Sequence, residues 1–192
     1  METWEWIAVG AAGAAGAILL FALVATLITA RRRRSHLQKR FGPEYYHAVS
    51  ASGKRRAERR LANVEDEHKE LHIRGLPWVT LERYLEEWRQ AEARFVSDPA
   101  DSTRAAERIV TRVLEERGYP VDGDSEEIAA HIGADYPDVA NRYRHGRTIL
   151  EPANVEGKTT EDLRHAMLDF RAVLEELLVR EPTPTQEKAE VA

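Results

Sequence analysis

Apolar residues fall in two patterns along the chain: one unbroken run near the N-terminus, then a series of stripes that step by three and four. From Ile7 to Ala30 no residue is charged. At about 1.5 Å rise per residue the run is about 36 Å long as a helix, more than the roughly 30 Å hydrocarbon core of a bilayer. Residues 7–30 are therefore expected to form a transmembrane helix, with 1–6 as a short extracytoplasmic N-terminus. After a short helical piece around Pro43 to Val49, broken by Gly53, the residues Ala57, Leu61, Val64, His68 and Leu71 share one helix face. A second helix opens near Pro77, and its stripe of Trp78, Leu81, Leu85, Trp88 and Phe95 predicts two buried indoles. A third starts at Asp98-Pro99, turns Ala106, Ile109, Val110, Val113 and Leu114 inward, and stops at Gly118 and Pro120. Asp124 and Ser125 cap a brief helix through His131, and Pro137 opens another through Leu150. Thr159 with Asp162 approximates a capping box for the last helix, which carries Leu163, Met167, Phe170, Leu174 and Leu177.

These stripes predict an all-α chain: the N-terminal transmembrane helix, then a compact antiparallel bundle of about five helices over residues 61–180, with Trp88 and Phe170 inside. Residues 181–192, EPTPTQEKAEVA, are polar, hold two prolines and lack periodicity, so a disordered tail is expected there.

Charge gives the span a direction. Trp4 and Trp6 stand where indoles prefer the headgroup level, and Arg31, Arg32, Arg33 and Arg34 close the other end. With Glu2 and Glu5 before the span and four arginines after it, the positive-inside rule places the N-terminus outside and the domain in the cytoplasm, a single-pass protein of the cell membrane. A cleavable signal peptide fits poorly, because the leading residues are acidic, the apolar run is long and Ile28 sits three residues before the cut that Ala30 would allow. Gly10, Gly13 and Gly16 among alanines leave homo-oligomerisation through this Gly/Ala face open. Residues 31–60 carry eleven Lys/Arg against Glu44 and Glu58, a net of +9, whereas 61–192 sum to −12. The basic juxtamembrane segment 31–60 is thus expected to attract anionic lipid of the inner leaflet. The alternative, nucleic acid, is opposed by the acidic remainder and by the lack of any helix-turn-helix, RNA-binding or zinc-finger signature.

Candidate chemistry is sparse. No cysteine is present, which removes disulfides, thiolate zinc sites and thiol nucleophiles. No Gly-rich phosphate loop or nucleophile elbow occurs. Two Glu-x-x-His spacings, Glu44/His47 and Glu65/His68, resemble the ligand sets of di-metal helical bundles, but the other stripes offer no matching glutamates apart from Glu92. His68 and His72 are four apart, yet Lys69 follows His68, so the zincin pattern is not met. Trp78, Tyr84 and Trp88 at helical spacing are read as core, not as a ligand cage. No metal, cofactor or catalytic residue is therefore expected.

Several separated runs resemble a family of uncharacterised, often membrane-anchored actinobacterial proteins over roughly residues 40 to 178. They are FGPEY (Phe41 to Tyr45), LHIRGL, the helix with Tyr84, Trp88 and Arg94-Phe95-Val96, Asp98-Pro99, RGYP (Arg117 to Pro120), Pro137/Val139/Tyr143-Arg144, and TEDLR-x-AM (Thr160 to Met167) with Phe170-Arg171. Relatives carry proline at Gly75, aspartate at Ser97 and a histidine near Arg147 or Thr148, so the match is incomplete. The resemblance implies no activity, cofactor or partner and carries over no functional residue. The expectation is a non-enzymatic, membrane-tethered helical module binding a protein partner or the leaflet. The alternative is a ligand-binding or enzymatic domain whose pocket is lined by Arg74, Arg94, Arg144, Arg164 or Arg171, to be judged by whether these arginines converge without carboxylate partners.

Overall fold

A computed structural model describes residues 20–21, 24–29, 31–151 and 157–179, and every regular element among them is helical. Residues 31–41 form α1. Then come α2 (Pro43–Ser52), α3 (Lys54–Glu70), α4 (Trp78–Arg94), α5 (Pro99–Arg117), α6 (Ser125–Asp135), α7 (Pro137–Leu150) and α8 (Thr160–Val179). The stops and starts follow from local chemistry. Asp98 accepts from the Asp101 amide at 3.0 Å and Asp124 from the Glu127 amide at 2.8 Å, so both are working N-caps. Thr159 and Asp162 exchange bonds in both directions, at 2.8 Å and 3.2 Å, a complete capping box. Gly118 ends α5 in the left-handed region at φ 96°, and a Cβ there would lie 2.8 Å from the His72 carbonyl oxygen.

Side-chain contacts give the helices their directions. His36 meets Glu65 at 2.6 Å, and further along both helices Arg40 and His68 meet on Asp135, so α1 runs parallel to α3. Helix α2 returns between them. Helices α5, α6 and α8 share the direction of α3, while α4 and α7 oppose it, as Tyr84–Glu116 and Arg112–Glu87 show for α4 and α5. One end of the bundle gathers the turns at Gly42, Gly118 and Tyr136. The other gathers the start of α1, the Gly53 turn between α2 and α3, the turn from α4 to α5 and the start of α6.

Two apolar cores result. The larger joins α4, α5, α7 and α8 and contains Trp88 and Phe170. The smaller joins Leu37, Phe41, Tyr45, Ala48, Ala57, Leu61 and Val64. Helix α6 lies between them, giving Ile128, Ala129 and Ile132 to the first and Ala130 and Ala134 to the second.

Burial among the described residues thus begins well before Leu61, and six helices, α3 to α8, fall wholly or partly within the range 61–180 where about five are expected. The basic content of 31–60 hid two short apolar pairs at helical spacing, Leu37 with Phe41 in α1 and Tyr45 with Ala48 in α2. Trp78 is a second correction. It is 69 % exposed, because it sits in the first turn of α4 where α5 has already ended, and the buried stripe is Tyr84, Trp88 and Ala91 instead. Most of the expected span, with Trp4, Trp6 and the Gly/Ala face, lies outside the described residues, as does the expected tail 181–192. Among the described residues no helix is long and apolar enough to cross a membrane. Those described within 7–30 are helical, and Leu20, Phe21, Val24, Leu27 and Ile28 are exposed.

Candidate functional site

The strongest concentration of polar chemistry is a buried seam between the two cores. Gly133 in α6 makes room for it: a Cβ there would lie 3.1 Å from Glu44 Cγ, so α2 approaches α6 closely. The Glu44 carboxylate is fully buried and receives both of its bonds from the Arg144 Nη2, at 2.8 and 2.9 Å. Arg144 Nε lies 2.6 Å from Glu126 Oε1, but its N–H is not aimed at that oxygen, so the contact is an ion pair and not a hydrogen bond.

At the Gly42 end, Asp135 collects three donors from three other segments. The Tyr119 hydroxyl donates at 2.5 Å, His68 Nε2 lies at 3.0 Å and Arg40 reaches in at 3.5 Å. Burial, then the Asp135 charge, pushes the Tyr119 hydroxyl well above its ordinary range, so it acts as a fixed donor. The His68 ring stacks on His131 with centroids 6.2 Å apart, and His131 Nε2 faces Glu67 at 3.5 Å. Burial, and after it the neighbouring His68, holds His131 below its ordinary value. The Nδ1 atoms of both rings are buried without a hydrogen-bond partner among the described residues. Nearby, Arg117 is buried, donates to the Leu177 carbonyl and reaches the Tyr136 hydroxyl at 2.9 Å, tying α8 to the α6–α7 turn. Neither of the two surface grooves described next is lined by His68, Asp135, Tyr119 or Arg40. Asp135, His68 and Tyr119 are themselves buried, and their bonds hold separate helices together.

The grooves are shallow and mixed in charge. One of about 610 Å³ runs between α4 and α5 along Glu87, Arg94, Arg108 and Arg112. Another, of about 670 Å³, lies between α3 and the start of α6 and is lined by Arg56, Arg59, Arg60, Glu67, Asp124 and Glu127. At its edge, one oxygen each from Glu67 and Glu127 and a nitrogen of the buried His131 lie within 4.8 Å of one another. That donor set suits a divalent cation, but the three guanidiniums lining the same groove oppose one.

The sequence-derived candidates do not assemble. Arg144 is taken by Glu44, Arg164 by Glu161, and Arg171 by Glu175 and Glu92. Arg74 and Arg94 donate to backbone carbonyls of Glu116 and Gln90. Of the five arginines only Arg94 borders the α4/α5 groove. The two Glu-x-x-His pairs are likewise dispersed: Glu44 goes to Arg144, His47 to Glu126, Glu65 to His36 and His68 to Asp135. His72 lies past the end of α3 and is exposed, so it shares no face with His68. Sequence reasoning missed Asp135, His131 and Tyr119. Every residue of α6 from Ile128 to Asp135 is buried, so α6 has no polar face against which an inward histidine or aspartate would stand out. No family model, curated protein or solved structure matches the chain.

Proposed function

We propose that the chain is a single-pass, membrane-tethered helical interaction module whose domain stands in the cytoplasm against the anionic inner leaflet and is open there to a protein partner. The observation that carries this is the exposed, apolar, helical residues 24, 27 and 28, followed at once by four exposed arginines, Arg31 to Arg34, at the entrance to the packed body. Burial of the body begins only at Leu37. Three of the runs that carry the resemblance to membrane-anchored actinobacterial proteins contribute to the seam: FGPEY supplies Glu44, RGYP supplies Arg117 and Tyr119, and Tyr143-Arg144 supplies Arg144. Membership of that family is part of the proposal. The pairing of Arg144, Arg164 and Arg171 with carboxylates weighs against a ligand pocket. Alkaline carbonate extraction of membranes from cells making the full chain should leave it in the pellet, and protease added to inverted vesicles should digest the domain. Release into the supernatant, or protection of the domain, would sink the reading.

A further inference from the structure

The basic residues that are scattered along 31–60 in sequence meet in space. Helices α1 and α3 run parallel, and the Arg34 guanidinium lies against the Tyr45 hydroxyl, which itself donates to Glu58 at 2.9 Å. Arg31 to Arg34 therefore stand within about one to two helical turns of the first turn of α3, where Lys54, Arg55 and Arg56 follow Gly53. All seven of these cations are exposed. Arg31, Arg32, Arg33, Lys54, Arg55 and Arg56 have no ion pair among the described residues. Glu58 is occupied by Tyr45, and Glu126 is shared by Arg60, Arg144 and His47. The first turn of α3 contains no acidic residue, so within that turn no carboxylate offsets the cations at the positive end of the dipole; on the α6 side Arg56 shares its groove with Asp124, Glu126 and Glu127.

We infer that the Gly53 turn between α2 and α3 is a second contact with the anionic headgroups, beside the one at Arg31 to Arg34. The pair of contacts holds the domain in one orientation. The occupant is a leaflet and not a compact anion, because the cations spread over an open end of the body, which the exposed apolar residues 24, 27 and 28 adjoin. Two footings on separate helices remove the free rotation that a single tether leaves. The Gly42 end, with its polar seam and the exposed Trp78 and Val79, then points away from the membrane.

This rests on the tethered reading, and the test separates the two. The chain has no cysteine, so Ala51→Cys beside the turn and Val79→Cys at the far end each give a single labelling site. Full chains carrying a fluorophore at one site are reconstituted into vesicles of phosphatidylcholine and phosphatidylglycerol that contain a nitroxide-headgroup lipid. The Ala51 probe should be quenched several-fold more than the Val79 probe. The difference should shrink in phosphatidylcholine alone, in Lys54→Glu/Arg55→Glu/Arg56→Glu, and in about 1 M salt, where the Debye length is about 3 Å. If the chain floats with vesicles but the two probes are quenched alike, or neither is, the second footing is wrong and the tether survives. Quenching that ignores lipid charge and salt also overturns it. A chain that does not float removes both.

Discussion

The two cores solve the same problem with different materials. The α4–α5–α7–α8 core is closed by aliphatic and aromatic residues such as Ile109, Leu114, Phe170 and Leu174, each at most 3 % exposed, and its stripes repeat so regularly that few other packings would bury them. The α1–α3 core is smaller and leans on alanines: Ala48, Ala57, Ala130 and Ala134 are four of its nine buried residues. Alanine packs against many neighbours equally well, so shape alone specifies little there. The register is set instead by groups that tolerate one arrangement only, Glu44 with Arg144 and Asp135 with Tyr119, His68 and Arg40. Apolar periodicity suffices where side chains are large, and buried polar pairs supply the specificity where they are small.

Breaking a pair should therefore cost the most. Glu44→Ala removes the buried carboxylate that both Nη2 bonds of Arg144 reach, leaving the guanidinium only Glu126 and Asn141 among the described residues, and should lower unfolding free energy by about 3–5 kcal/mol, read from chemical denaturation. The double change Glu44→Leu/Arg144→Met should recover most of that loss, because both charges leave together. If the double variant is no more stable than Glu44→Ala, the seam supplies more than register and the comparison fails.

One substitution made in each core measures the contrast directly. Leu174→Ala and Leu61→Ala remove equally buried side chains, and each should cost about 2–5 kcal/mol. Leu174 should be the more expensive, because its large neighbours cannot close the cavity, whereas α3 can settle onto the alanines around Leu61. Equal costs would show that the small core is as rigidly packed as the large one.

How much of this was legible in the sequence follows the same division. The stripes of α3, α5 and α8 are buried at the residues that periodicity marks, and the caps at Asp98, Asp124 and Thr159 form as their sequences imply. Trp78 misled because hydrophobicity says nothing about where the opposing helix stops. Helix α1 is hard to see in the sequence because lysines and arginines outnumber its apolar positions, Leu37 and Phe41. The seam was illegible for another reason. Glu44 and Arg144 are a hundred residues apart and Asp135 draws on Arg40, His68 and Tyr119, partners that only the assembled fold brings together. Single glutamates and histidines along a helix look alike whether they face water or another helix.

A smaller effect tests the close approach of α7 and α8. A Cβ on Gly146 would lie 2.8 Å from Phe170 Cζ, whose ring also packs edge-on against Tyr143 with centroids 6.5 Å apart. Overpacking of this kind costs about 1–3 kcal/mol, and replacing a mid-helix glycine by alanine returns about 0.5–1 kcal/mol. Gly146→Ala should thus be destabilising by the difference, and Gly146→Ala/Phe170→Leu less so than the sum of its single changes. A Gly146→Ala variant that melts above the parent would mean that Phe170 moves aside freely and that the large core is looser than its burial implies.

The smallest effect belongs to the seam and depends on pH. His131 is held below its ordinary 6.5 by burial first, then by His68 and, more weakly, Arg60, with Glu67 pulling the other way. An unfolded chain protonates this imidazole as pH falls through about 6.5, whereas the folded one resists until the pH is lower. In the window between, the unfolded state binds more protons, so stability is full above 6.5 and declines as the pH drops beneath it. His131→Leu should flatten that decline without changing the behaviour of the large core. Hydrogen exchange on acidification should accordingly speed first in α1 to α3, whose amides depend on the seam, and later in α8. Denaturation curves of parent and His131→Leu that stay parallel from neutral pH through this window, or exchange that quickens in α8 first, would place the pH-sensitive contacts outside the seam.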